Sequence, residues 1–216
     1  MSVIPFSQAL RERTMASHED SAGAAFMSDL MTGEGSRDDY VALVAQHYFV
    51  YAALEAAAAR FADDAVAAPF INNELTRLPA LEADLDFLVG PHWAGSVAPV
   101  PAANRYVERI NEVAAQGWAG GFIAHHYTRY LGDLSGGQAI SRVMQRRFGF
   151  ATDGVAFYAF DGIASPKHFK DTYREQLDAV DWDAAERERV INEVLLAYRL
   201  NTELFIDLAE AKTLAG

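Results

Sequence analysis

The chain of 216 residues contains no cysteine. That excludes disulfides, cysteine-held iron–sulfur clusters, Cys-type zinc sites and any thiolate ligand, so a metal must be held by histidine, carboxylate or tyrosine. Positive charge is scarce as well: 18 Lys and Arg stand against 30 Asp and Glu, a formal net charge of −12. A mean field of that sign repels a phosphate backbone, and nucleic acid is not expected as a partner. Long hydrophobic runs are missing, and Met1-Ser-Val-Ile-Pro-Phe6 has neither a basic n-region nor a long apolar h-region. The expectation is a soluble, cytoplasmic protein with no membrane partner. Alternating apolar and polar residues are also absent over any useful length, apart from the ambiguous stretch Val155–Phe160. Few strands are therefore expected.

What remains is helical periodicity. With 51% hydrophobic residues and no break in composition, the chain can bury one substantial core, and a single all-α domain over residues 1–216 is expected, without repeats. Ser7 is placed to cap a first helix reaching about Ala22. Ser36 with Asp39 resembles a capping box, ahead of the stripe Tyr40, Val44, His47, Tyr51, Leu54, Ala58 and Phe61. Leu78, Leu81, Leu85 and Leu88 mark a third helix, stopped by Gly90-Pro91. Further helices fit 102–115 and 119–148, the latter ending at Gly149. Another starts at Ser165-Pro166, and Asp183 with Glu186 caps the last.

One stretch of the 119–148 helix departs from good helical composition. Tyr127-Thr-Arg-Tyr-Leu-Gly-Asp-Leu-Ser-Gly-Gly-Gln138 holds three glycines, each costing about 1 kcal/mol relative to alanine inside a helix. Gly132 and Gly136, four apart, share a face beside Asp133, with Arg129 and Tyr130 close behind. Such a surface suits a flat ligand lying on bare backbone, with a polar network at its edge.

Among six histidines, His18 is notable because Arg11, seven residues earlier, falls on nearly the same face some ~10 Å along the axis, with Met15 between them. On the residues alone, His18 ranks no higher than His47 or His125 as a metal ligand.

The run Tyr130-Leu-Gly-Asp-Leu-Ser-Gly-Gly-Gln138 resembles the distal helix of heme oxygenases. The resemblance extends along the chain through Phe26-Met27, Tyr51-Ala-Ala-Leu-Glu55, Ala80–Leu85, Phe169–Arg174 and Leu200-Asn201 with Phe205. It implies a fold in which haem b, both substrate and cofactor, lies between a proximal and a distal helix and is cleaved oxidatively to biliverdin, carbon monoxide and ferrous iron. It also implies that His18 ligates the iron, while Gly132 and Gly136 admit haem and dioxygen. Asp133 then organises water on the oxygen side, completed by Tyr51, Arg129 and Asn201. By the same resemblance Tyr127, Lys170 and Arg174 hold the propionates, to which the spacing of Arg11 from His18 also suits it, and Met27, Tyr173 and Phe205 belong to the haem surroundings. The family commonly has a glutamate four residues after the ligand, where this chain has Ala22.

No dinucleotide fingerprint and no cysteine cluster is present, so electrons are expected from a separate ferredoxin, flavodoxin or flavoprotein reductase. Arg142, Arg146 and Arg147 form a candidate docking patch for it. The rivals are a non-catalytic haem carrier, a helical scaffold without ligand, and a di-iron carboxylate enzyme; the last needs repeated Glu-x-x-His motifs, which do not occur.

Overall fold

Helix follows apolar periodicity almost throughout the computed structural model, which describes residues 4–215, and no strand occurs among them. In chain order, α1 (Phe6–Ala22), α2 (Ala25–Thr32), α3 (Arg37–Arg60), α4 (Leu78–Leu88), α5 (Pro101–Ala115) and α6 (Ala119–His126) lead into two π-helical turns, Tyr127–Leu131 and Asp133–Gly137. The same helical course continues as α7 (Gln138–Phe148), and α8 (Pro166–Ala179) and α9 (Ala184–Ala215) follow. The long α9 packs against α1, α2, α5 and α6, and α3 packs against α4 and α5. By length and composition α3 resembles a bilayer span. Here it is a core helix, with Tyr40, Leu43, Val44, Val50, Tyr51 and Leu54 almost fully buried.

Local chemistry explains most of the boundaries. The capping box before α3 forms as expected: Ser36 Oγ accepts from the Asp39 N–H at 3.0 Å, and Asp39 Oδ2 accepts from the Ser36 N–H at 2.7 Å. Gly149, at φ +73°, ends α7 in the left-handed region that a side chain would disfavour. Before α9, Asp183 Oδ1 accepts from the Glu186 N–H at 2.7 Å, but the Glu186 side chain turns to Trp118 Nε1 and Arg189 instead of closing a box. Ser7 does not cap α1. The helix already includes it, and its N–H and hydroxyl both donate to Asp178, at 2.7 and 2.9 Å, so one orphan N–H of the first turn is satisfied from α8.

Two carboxylates inside the family-like stretches prove to be structural. Glu55 Oε1 accepts from the N–H groups of Arg77 and Leu78, fastening the start of α4 to α3. Asp84, fully buried, accepts from the N–H groups of Ala156 and Phe157 at 2.9 and 2.8 Å. Burial lifts its carboxyl to about 6 despite those bonds. They hold Val155–Phe160 as a short 3-10 turn at Ala156–Tyr158, and that turn presses Phe157 against Tyr51 and His47, with ring centroids 5.2 and 5.1 Å apart.

Candidate active site

A cleft of about 870 Å³ opens between α1, the π-helical turns and α8, within the ~300–1,000 Å³ of pockets that enclose a small-molecule ligand. Arg11, Met15 and His18 line it from α1, and Leu131, Gly132 and Ser135 from the π-helical turns. Lys170 and Arg174 of α8 contribute with Tyr127, and Tyr198 comes from α9. His18 is exposed, its imidazole edge-on to Tyr198 with centroids 5.7 Å apart. It is the only histidine lining the cleft.

Burial separates the histidines that sequence left level. His47 and His125 lie in the core. Desolvation holds His47 well below its ordinary pKa, with the charge of Arg129 adding to it, and His125 Nε2 is 2.9 Å from Glu193 Oε1. His126 is also buried and pushed down to about 3, whereas His92 and His168 are exposed away from the cleft.

The three glycines divide by purpose. A Cβ at Gly132 or Gly136 would meet no atom within 4 Å, whereas at Gly137 it would come within 2.8 Å of the Tyr158 ring. Gly137 is therefore glycine for packing. Gly132, at φ −61° and ψ −52°, has an ordinary helical backbone, so nothing conformational demands glycine there, and what its missing side chain leaves is room. The wider π-helical register bends the ladder of backbone hydrogen bonds. Thr128 Oγ1 donates to the Ala124 carbonyl at 2.8 Å and Ser135 Oγ to that of Leu131 at 2.7 Å, each across one turn.

Behind this backbone lies a polar cluster. The Tyr51 hydroxyl donates to Asp133 Oδ2, and the Arg129 guanidinium lies 5.1 Å from the centre of the Tyr51 ring. Arg129 Nη1 donates to Asn201 Oδ1 at 2.6 Å. Burial raises the Asp133 carboxyl above the usual carboxylate range, with Arg129, the Tyr51 bond and Arg77 pulling the other way. Burial likewise carries the Tyr51 phenol well above 10, so it stays protonated and keeps donating. One oxygen of Asp133 is thus tied to Tyr51.

Across the cleft the cations gather. Burial raises Tyr127 while Arg174 and Arg11 draw it down, so both guanidinium groups act on its phenol. Lys170, whose Nζ donates to Ser135 Oγ at 2.9 Å, is lowered first by burial and then by Arg174. Like charges pressed together favour an anionic ligand.

Some expected contacts lie elsewhere. Tyr173 does not reach the cleft: its ring is buried against Phe70, centroids 4.9 Å apart, and its hydroxyl meets His126 Nδ1 at 3.0 Å. The 100° turn between consecutive helical residues sends it inward while Arg174 faces out. Met27 and Phe205 are also buried away from the cleft lining; Phe205 stacks on Phe26 at 6.4 Å and fastens α2 to α9. Asn201 enters only through Arg129. Sequence reasoning missed Ser135, which lay inside the quoted run, and Tyr198. It also missed Arg77, a buried arginine donating to the carbonyls of Leu75 and Phe157, both at 3.2 Å, for which no local pattern was a signal.

One imidazole and three cations share a cleft with the bare backbone at Gly132, so fold and site together fit a helical binder of a flat, anionic ring. The heme oxygenase family model matches residues 4–207, and the chain belongs to that family. It is 39% identical over 210 residues to heme oxygenase 1 of Homo sapiens, covering 96% of this chain and 73% of the human protein. Heme oxygenase 1 of Synechocystis is 38% identical over 208 residues, covering 96% and 86%. Among solved structures, heme oxygenase-1 from Synechocystis in complex with heme superposes with a TM-score of 0.90 at 35% identity, covering 98% of this chain and 97% of that one. The heme oxygenase of Leptospira interrogans gives 0.88 at 30% identity, covering 94% and 98%.

Proposed function

We propose that this chain degrades haem in the cleft between α1 and the π-helical turns. The observation that carries the reading is that His18 and the bare backbone at Gly132 line one cavity with Arg11, Lys170 and Arg174. These residues fit haem: one imidazole nitrogen for iron, open space where a Cβ at Gly132 would have stood, and positive charge for two propionates. Bound haem supplies the iron that activates dioxygen and the porphyrin that is oxidised to biliverdin, with release of carbon monoxide and ferrous iron.

The protein's share is to seat, orient and hydrate. His18 fixes the iron toward α1. Arg11, Arg174, Lys170 and Tyr127 would hold the propionate edge and with it set the rotation of the ring. Gly132 and Gly136 leave space for dioxygen next to the backbone. Asp133 would act through water: Tyr51 occupies one carboxylate oxygen, and the second would orient a water on the distal side. Arg129, anchored on Asn201, keeps the Tyr51–Asp133 pair in place. Electrons come from a separate ferredoxin, flavodoxin or flavoprotein reductase in the cytoplasm.

A haem carrier would need His18 and the cations but has no use for a desolvated aspartate behind a glycine-bare turn, and the Asp133 cluster favours the enzyme. The test is to titrate the purified protein with haem and add ascorbate under air. The expected result is one haem bound per chain, followed by replacement of the Soret band with the broad red absorption of biliverdin. A stable haem complex that merely reduces would contradict the assignment.

A further inference from the structure

α1 carries a second polar group directed away from the cleft. Ser21, in the last turn and three residues after His18, is 3% exposed, and its Oγ accepts from Asn201 Nδ2 at 2.8 Å. A buried hydroxyl in a helix commonly turns back to the carbonyl one turn earlier, as Thr14 does on this same helix, donating to the Leu10 carbonyl at 2.9 Å. Ser21 makes a bond to another helix, across to α9. Asn201 in turn accepts from Arg129 Nη1 at 2.6 Å.

The orientation of that amide is dictated. A guanidinium has only donors, so the Asn201 oxygen must face Arg129 and its NH₂ must face away. The NH₂ then needs an acceptor in a part-buried place, and Ser21 Oγ supplies it. Turning the amide over would set two donors against each other at Arg129 and lose that bond.

We propose that Ser21 is a positioning residue: by locking the Asn201 amide it fixes Arg129, and it ties the helix bearing His18 to the cluster that holds Asp133. The path runs from α1 through α9 to the first π-helical turn, where Arg129 lies over Tyr51 and Tyr51 holds Asp133. A displacement of α1 is thereby felt at the opposite wall. The catalytic consequence rests on the haem-degrading reading above; the hydrogen-bond relay does not.

Two readouts keep these apart. In ¹⁵N-labelled protein without haem, the Arg129 guanidinium protons are expected as slowly exchanging signals in the wild type. Ser21→Ala should broaden or lose them, and Ser21→Thr, which keeps the hydroxyl, should retain them. With haem bound, Ser21→Ala should lower turnover about two- to tenfold, the worth of one hydrogen bond. Haem affinity should stay unchanged, because Ser21 does not line the cleft, and Ser21→Thr should turn over like the wild type. Arg129 signals indifferent to Ser21→Ala would overturn the proposal whether or not haem is degraded, and a threonine variant as impaired as alanine would overturn the assignment to the hydroxyl. Signals that respond in a protein inert toward haem would support the relay and sink the catalytic reading instead.

Discussion

The two walls of the cleft are built on different plans. α1 is a regular helix whose cleft side, Arg11, Met15 and His18, is exposed or half-exposed. The opposite wall has two π-helical turns, three glycines and a cluster of buried Tyr51 and Arg129 with half-buried Asp133. Holding an iron needs one nitrogen at the right height, and an exposed helix provides it cheaply. Steering a reaction needs polar groups fixed in advance where solvent is excluded, because only there do their dipoles act at full strength. The irregular wall therefore carries the cost in stability, and the regular wall presents the imidazole.

The largest effect that would sharpen this contrast lies on the regular wall. His18→Ala removes the sole imidazole of the cleft, and turnover should fall by more than the about 10- to 100-fold loss typical of removing a ligand's hydrogen-bond partner. The ferrous–CO spectrum should lose its histidine-ligated form. Unchanged axial ligation would move the ligand elsewhere and erase the distinction between the walls.

Next in size is the support behind the distal wall. Burial alone would raise Glu193, but bonds from Arg109 and His125 bring it down to about 2. Because the folded value lies below the ordinary 4.5, this stabilisation is fully present above pH 4.5 and is lost as pH falls toward 2. It amounts to about 3 kcal/mol at most. Urea unfolding of Glu193→Gln against the wild type should show a flatter acid branch between about pH 4.5 and 2. Parallel curves would contradict the pairing.

The glycines give a smaller effect of opposite signs. Gly132→Ala should stabilise the haem-free protein by about 0.5–1 kcal/mol, since the helix gains propensity and the new Cβ meets nothing, raising Tm by about 1–4 °C. Its haem turnover should fall. Gly137→Ala, which drives a Cβ into the Tyr158 ring, should lower Tm. Equal effects at the two positions would show that room for a ligand does not distinguish them.

Smallest is the surface effect. Arg142, Arg146 and Arg147 are exposed on α7, next to the distal wall on an acidic protein. Reversing all three charges should slow reductase-driven turnover at low salt and flatten its salt dependence, while ascorbate-driven turnover stays the same. Salt curves that coincide with the wild type would remove the patch from electron delivery.

Sequence made α3, α4 and the end of α7 legible because their signals are local: a capping box, a leucine stripe, a glycine stop. The start of α1 was not, since one of its N–H donors is satisfied by Asp178, 171 residues from Ser7. The Tyr127–Gln138 run announced weak helix, yet glycine content does not specify a register, and the π-helical turns emerged only in three dimensions. Likewise, Tyr173 stood in a family-like stretch whose motif names residues without saying which face they take. His18 could not be separated from His47 and His125 by pattern, since all three lie on helices. Burial separated them.

The most direct test is to measure haem affinity and haem turnover together in Asp133→Ala. The account has Asp133 working through water behind the glycine wall, in contact with Tyr51 and not with the ring. Affinity should therefore stay at the wild-type value while turnover drops about 10²- to 10³-fold, the range for removing one preorganised polar group from a reacting site. Biliverdin formed at the wild-type rate, or a loss of affinity in step with the loss of turnover, would contradict it.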